Sequence, residues 1–180
     1  MKVSETLLLD CLILQPEVHK DERGFFMESF NSKTFFESTG VQTNFVQDNH
    51  SQSQKGVLRG LHYQKTSPQG KLVRVSRGSV FDVAIDIRPK SPTFGLWFGI
   101  ELSEQNKLQL WIPEGFAHGF VVTSEIADFQ YKCTNHYIPD DEGLIHYRDP
   151  DINILWPDLD NIIVSEKDSQ AHSFRDLFLQ

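Results

Sequence analysis

Two short segments carry side chains suited to moving protons. In Arg59-Gly60-Leu61-His62-Tyr63-Gln64, a regular strand would set Arg59, Leu61 and Tyr63 on one face and Gly60, His62 and Gln64 on the other. Gly60 leaves room beside His62 for a ligand to approach. In Pro113-Glu114-Gly115-Phe116-Ala117-His118-Gly119-Phe120, Pro and Gly make a tight turn, and His118 points off the strand that follows. Proton transfer at carbon needs a base, an acid on the opposite side and a donor for the enolate oxygen. Histidine is the side chain suited to accept and release protons near neutral pH, so His62 is the candidate base. Lys71, just beyond the Ser67-Pro68-Gln69-Gly70 turn, offers a cation for the oxygen. Tyr131 keeps its proton at neutral pH and can donate it as an enolate forms. Asp168, in Ser165-Glu166-Lys167-Asp168, can hydrogen-bond the far nitrogen of His62 and fix its tautomer. Each has a plainer reading taken singly: a structural strand histidine, an exposed lysine, a packed tyrosine, a helix-capping aspartate. The chemistry rests on their conjunction.

The elements that must position these groups are mostly strands. CLILQPEV, FFMESF, NFVQDNHS, VLRGLHYQ, LWFGIEL, LQLWIP, GFAHGFVVT and ADFQYKCTNHY read as short strands, and KLVRVSRGSVFDVAIDI as two strands around Arg77-Gly78. One early helix is predicted in NSKTFFESTG, with Asn31 or Ser32 as cap and Gly40 as stop. Close-spaced strands with Gly and Pro at the turns predict an antiparallel sandwich or barrel, mainly β with a few short helices, in one domain over residues 1–180. From Val80 to Ile87, Val80, Asp82, Ala84 and Asp86 share one face, which either lines a barrel interior or is solvated. P-x-G-x-x-H around His118 resembles the second motif of the cupin superfamily, whose first motif supplies an H-x-H pair. Here that pair reads His62-Tyr63-Gln64. Neutral Gln is a poor ligand for a transition metal, so no metal site is expected, and acid–base chemistry is favoured over a metal-dependent oxygenase.

Composition narrows the classes. A charged fraction of 23% and an apolar fraction of 39% are those of a soluble globular protein. No run of about 18 apolar residues occurs, and Glu5 and Asp10 interrupt the apolar N-terminus, so neither a membrane span nor a signal peptide is read. The net charge of −8 argues against nucleic acid, though a few converging cations still bind a diphosphate. Cys11 and Cys133 lie far apart without a CxxC, which predicts free thiols and a cytoplasmic setting. With 14 Phe and 3 Trp, most aromatics must be core, leaving a few to stack on a base or sugar.

From about residue 7 to SFRDLF the chain resembles the dTDP-4-dehydrorhamnose 3,5-epimerase family. The resemblance is carried by DERGFFMESF, FVQDNHSQS, GVLRGLHYQ, QGKLVRVSRGSVFDVAIDIR, WIPEGFAHGF, the Tyr131 strand and SEKD. It implies a cupin jelly-roll barrel, normally a homodimer, that acts without a cofactor. It implies His62 as base, Tyr131 as acid and Asp168 as the partner of His62. Arg59, Lys71 and His118 would line the sugar pocket, and Gln47, Asp48 and Asn49 the nucleotide end. Arg23, Phe26 and Glu28 would reach the pocket of the neighbouring subunit, and Glu142 and Lys167 would add contacts to nucleotide or phosphate. Asp82 would stand behind His118. The substrate implied is a dTDP-4-keto-6-deoxy sugar, converted from dTDP-4-dehydro-6-deoxy-D-glucose to dTDP-4-dehydro-L-rhamnose, a precursor for surface polysaccharide. Relatives that invert only C3 or only C5, and a sugar-nucleotide-binding cupin without turnover, are the alternatives.

Overall fold

The structure is a computed structural model that describes residues 1–179; Gln180, the end of the expected domain, lies outside the described residues. Strands run in chain order as β1 (Lys2–Glu5), β2 (Leu12–Gln15), β3 (His19–Asp21) and β4 (Gly24–Phe26) before helix α1 (Ser32–Thr39). There follow β5 (Gln47–Gln54), β6 (Leu58–Gln64), β7 (Lys71–Arg77), β8 (Ser79–Asp86) and β9 (Trp97–Ser103). The last strands are β10 (Gln109–Ile112), β11 (Phe116–Val122), β12 (Ile126–Cys133) and β13 (Glu142–Leu144), ahead of helices α2 (Glu166–Ser169) and α3 (Phe174–Phe178). Two antiparallel sheets face each other, ordered β1-β2-β10-β7-β12-β5 and β13-β6-β11-β8-β9. This is the mainly-β cupin jelly roll that the strand pattern and the resemblance lead one to expect. Among the described residues no helix is long and apolar enough to cross a membrane.

The interior between the sheets is built by alternation. Val73 and Val75 of β7, Val80 and Ala84 of β8, Phe120 and Val122 of β11 and Phe129 of β12 fill the closed part of the barrel. The other face of β8, Val83 and Ile85, packs under an outer layer with Ile145, Ile152 and Phe174. β8 is therefore covered on both faces, and Asp82 and Asp86 have no exposed surface. Of the two readings of that aspartate face, the barrel interior is the one the fold adopts. Helix α1 covers the outer face of the six-stranded sheet. Asn31 caps it by accepting from the N–H groups of Lys33 and Thr34, and Gly40 ends it in the left-handed region at φ 72°. Phe35 is buried edge-on against Trp111, ring centroids 5.5 Å apart. The strand read in FFMESF ends at Phe26, because Glu28 turns back to accept from Asn31 Nδ2 at 3.0 Å and leads the chain into the helix cap.

Candidate active site

One end of the barrel stays open as a cavity of about 290 Å³ between the two sheets. On the five-stranded sheet, His62 of β6 stands directly opposite His118 of β11. On the facing sheet, Lys71 of β7 is paired with Cys133 of β12, and Tyr131 of β12 with Asn49 of β5. Gln47, Asn49, Arg59, His62, Lys71, His118, Tyr131 and Glu142 all line the cavity.

Regular alternation in β6 does not hold, and the departure makes the site. Between His118↔His62 and Phe120↔Arg59 the pairing takes two steps along β11 against three along β6. This bulge brings Arg59 and His62, which a regular strand would separate, to the same cavity while Leu61 turns into the outer layer. Gly60 permits it. Its φ is 131°, and a Cβ there would lie 2.6 Å from the Cα of Gly119.

His62 Nε2 lies 2.7 Å from Oδ1 of Asp168, and Oδ2 of Asp168 accepts the N–H of Gly60. Asp168 is buried within α2, and the capping place belongs to Ser165, whose Oγ accepts the Asp168 N–H. Burial alone would raise the Asp168 pKa. The hydrogen bond and charge of His62, with the Gly60 and Ser165 groups, bring it below the usual carboxylate range instead. An ionised Asp168 fixes the His62 proton on Nε2, which leaves the Nδ1 lone pair free, 4.0 Å from Glu142 Oε1. His118 is held in a similar way, Nε2 to Asp82 Oδ2 at 2.9 Å, with burial pushing its pKa down against the pull of Asp82.

Two groups on the facing sheet are left unpaired. Neither the Lys71 ammonium nor the Tyr131 hydroxyl has a hydrogen-bond partner among the described residues. Burial lowers the Lys71 pKa, opposed by Cys133, Asp82 and Glu142, and burial raises that of Tyr131. The imidazole thus faces a phenol whose proton burial holds more firmly and an ammonium whose proton burial holds less firmly than usual.

Some sequence-predicted residues lie elsewhere. The Asp48 side chain points away from the cavity, because it alternates with Gln47 and Asn49, and it pairs with Lys132 Nζ at 2.9 Å. Arg23, Phe26 and Glu28 do not reach this chain's own cavity: strands β3 and β4 pair only with each other, and Phe26 is 70% exposed. Lys167 reaches the cavity's edge through its ion pair with Glu142. Sequence reasoning missed Ser51, Tyr63, Gln64, Gln69, Phe120, Phe129 and Tyr137 as lining residues. Extending the Gln47, Asn49 parity would have found Ser51. Tyr137 lies in a loop, where periodicity is silent.

The residues do not fit a cupin metal site. His62 and His118 each hold a carboxylate through Nε2, and the Gln64 amide is engaged by three backbone groups. No three His, Cys, Asp or Glu side chains converge to hold an ion among the described residues.

Fold and site together define a cupin-type barrel whose open end sets a carboxylate-held imidazole against an unpaired phenol and ammonium. The family model described as dTDP-4-dehydrorhamnose 3,5-epimerase matches residues 5–176, and the chain belongs to that family. It is 58% identical over 172 residues to the dTDP-4-dehydrorhamnose 3,5-epimerase of Salmonella typhimurium, covering 95% of this chain and 94% of the relative. It is also similar to the dTDP-6-deoxy-D-glucose-3,5-epimerase of Legionella pneumophila solved in complex with dTDP-4-keto-L-rhamnose. There the TM-score is 0.92 at 55% identity, covering 94% of this chain and 90% of that one. The Elizabethkingia anophelis dTDP-4-dehydrorhamnose 3,5-epimerase matches with a TM-score of 0.94 at 51% identity, over 99% and 98% of the two chains.

Proposed function

We propose that the chain, acting as one cupin-type domain over residues 1–180, inverts C3 and C5 of dTDP-4-dehydro-6-deoxy-D-glucose to give dTDP-4-dehydro-L-rhamnose. The observation that carries the reading is the opposition across the cavity: the His62–Asp168 pair on one sheet, Tyr131 and Lys71 unpaired on the other. The ketone at C4 acidifies the hydrogens on both neighbouring carbons. His62 Nδ1 takes one, the C–H pair moves into an enolate, and the Lys71 ammonium donates to its oxygen. Tyr131 then delivers a proton from the other face, which inverts the centre. His62 releases its proton to water and Tyr131 takes one back, so atoms balance and no redox or metal cofactor enters.

The sugar occupies the closed end of the cavity, near His62 and Lys71. Its nucleotide runs to the rim, where Tyr137 presents a 46%-exposed ring suited to stacking on a base. Arg59, Glu142 and Lys167 meet the substrate between these ends. The exposed β3–β4 arm, with Arg23, Phe26 and Glu28, completes the pocket of a second copy in a homodimer.

The test is NMR of the 4-keto sugar nucleotide incubated with the protein in D₂O. Deuterium at both C3 and C5, with the L-rhamno product, is expected. Deuterium at one carbon alone would make the chain a monoepimerase, and binding without exchange would make it a non-catalytic module.

A further inference from the structure

Residues 134–138, which carry Tyr137, form no helix or strand, yet four successive residues have backbone groups held by glutamine side chains. Gln69 Nε2 donates to the carbonyl of Asn135 at 2.7 Å, and Gln47 Oε1 accepts the N–H of Tyr137 at 2.9 Å. Gln64 makes the pair between and beyond them. Its Nε2 donates to the carbonyl of His136 at 3.2 Å, and its Oε1 accepts the N–H of Ile138 at 2.6 Å. Nε2 also donates to the carbonyl of Ser67 at 2.8 Å, in the turn after β6. One amide bonded to residues 136 and 138 is the pattern a neighbouring strand's peptide group would offer. Gln64 itself is buried at 7% exposure, although His136 and Ile138 are exposed, so its amide is largely shielded from water and an unmade bond there is costly.

We propose that Gln64 is a positioning residue: its amide stands in for a missing strand, holds Tyr137 at the cavity mouth, and thereby sets affinity for the nucleoside diphosphate end of the substrate. The inference rests on the substrate reading above. It also gives a use to the position where a metal-binding cupin's second histidine would stand. Imidazole cannot both donate twice and accept once in this geometry, whereas a primary amide does so without a charge. Gln64 shares β6 with His62, so one strand sets the reacting end and braces the recognition end.

The experiment compares Gln64→Leu and Gln64→Glu with the wild type, reading kcat, KM and, separately, the Kd of dTDP by calorimetry. At neutral pH both variants are expected to raise KM and Kd by about tenfold or more, the effect of losing buried hydrogen bonds. Because what is lost is binding common to ground and transition states, kcat is expected to stay within about twofold. A carboxylate at position 64 would still accept from Ile138 but would face two carbonyls. Protonated, it regains a donor, so the Glu variant's defect should shrink as pH falls while the Leu variant's does not. Unchanged Kd and KM in the Glu variant, or a defect that acidification leaves in place, overturns the proposal. If the Leu variant does not fold, the Glu variant and its pH dependence decide alone. If the wild type fails to epimerise the sugar, the functional reading falls, and the dTDP Kd still judges Gln64.

Discussion

Strand β8 carries two buried aspartates on one face, four residues apart, and they live in opposite circumstances. Asp86, towards the closed end, accepts from the N–H, Nε and Nη2 of Arg88 and from the hydroxyls of Ser91 and Thr93. Arg88 in turn reaches Asp10 and the Leu9 carbonyl and lies over the Phe116 ring, 4.8 Å from its centroid. Asp82, at the cavity end, holds only His118, and its Oδ1 has no partner among the described residues. A carboxylate whose oxygens are saturated is a structural joint. One that holds a cavity histidine and adds its charge near Lys71, with an oxygen left idle, is tied to the site rather than to the scaffold.

The largest effect that separates them is on stability. Asp86→Asn leaves Arg88 and two hydroxyls facing an amide and is expected to cost about 3 kcal/mol by urea denaturation, with near-normal turnover in the folded fraction. Burial alone would raise the Asp86 pKa, but Arg88, Ser91 and Thr93 bring it down to about 2. A depressed pKa means the stabilisation is complete above the ordinary carboxylate value of about 3.9 and is lost as pH falls towards 2. The stability gap between wild type and Asp86→Asn should therefore close across that window. Equal stability of the two at neutral pH would break the contrast.

Asp82→Asn should do the reverse. Asn keeps the shape and one contact to His118, so stability should change by about 1 kcal/mol or less. Loss of a charged hydrogen bond to His118 should lower kcat/KM by about ten- to a hundredfold. A stability loss matching that of Asp86→Asn, with normal turnover, would make both aspartates joints.

A smaller effect sharpens the account of the open end. Burial makes Lys71 lose its proton at lower pH than an ordinary lysine, while Tyr131 keeps its own to higher pH. The alkaline fall in kcat should then track Lys71, and Lys71→Arg, which stays charged, should move that fall upward in pH. An unmoved limb would assign it to another group.

Much of this was legible in the sequence because it is local. Asn31 and Gly40 bound α1 through their own backbone and side chain, and alternation put Asp82 and Asp86 on one face of β8, which the fold then turns inward. What escaped was non-local. The bulge that gathers Arg59 and His62 arises where Gly60 meets Gly119 of another strand. The His62–Asp168 contact joins residues 106 apart; residue chemistry allowed it, with helix capping as the rival reading, and the family resemblance favoured it. Tyr137 sits in a segment held by side chains, with no periodic signal to read. Asp48 faces away from the cavity that Gln47 and Asn49 line, a separation that parity alone makes.

The central claim is that opposed sheets divide the labour, His62 as base and Tyr131 as acid. It is tested most directly by following deuterium and stereochemistry together in His62→Asn and Tyr131→Phe. General acid–base groups contribute about 10² to 10⁴ in rate, so both defects should be large. His62→Asn should lose exchange and turnover alike. Tyr131→Phe should still form the enolate and wash deuterium into the substrate while losing inversion at C5. Wild-type inversion in Tyr131→Phe, or undiminished exchange in His62→Asn, would contradict the account.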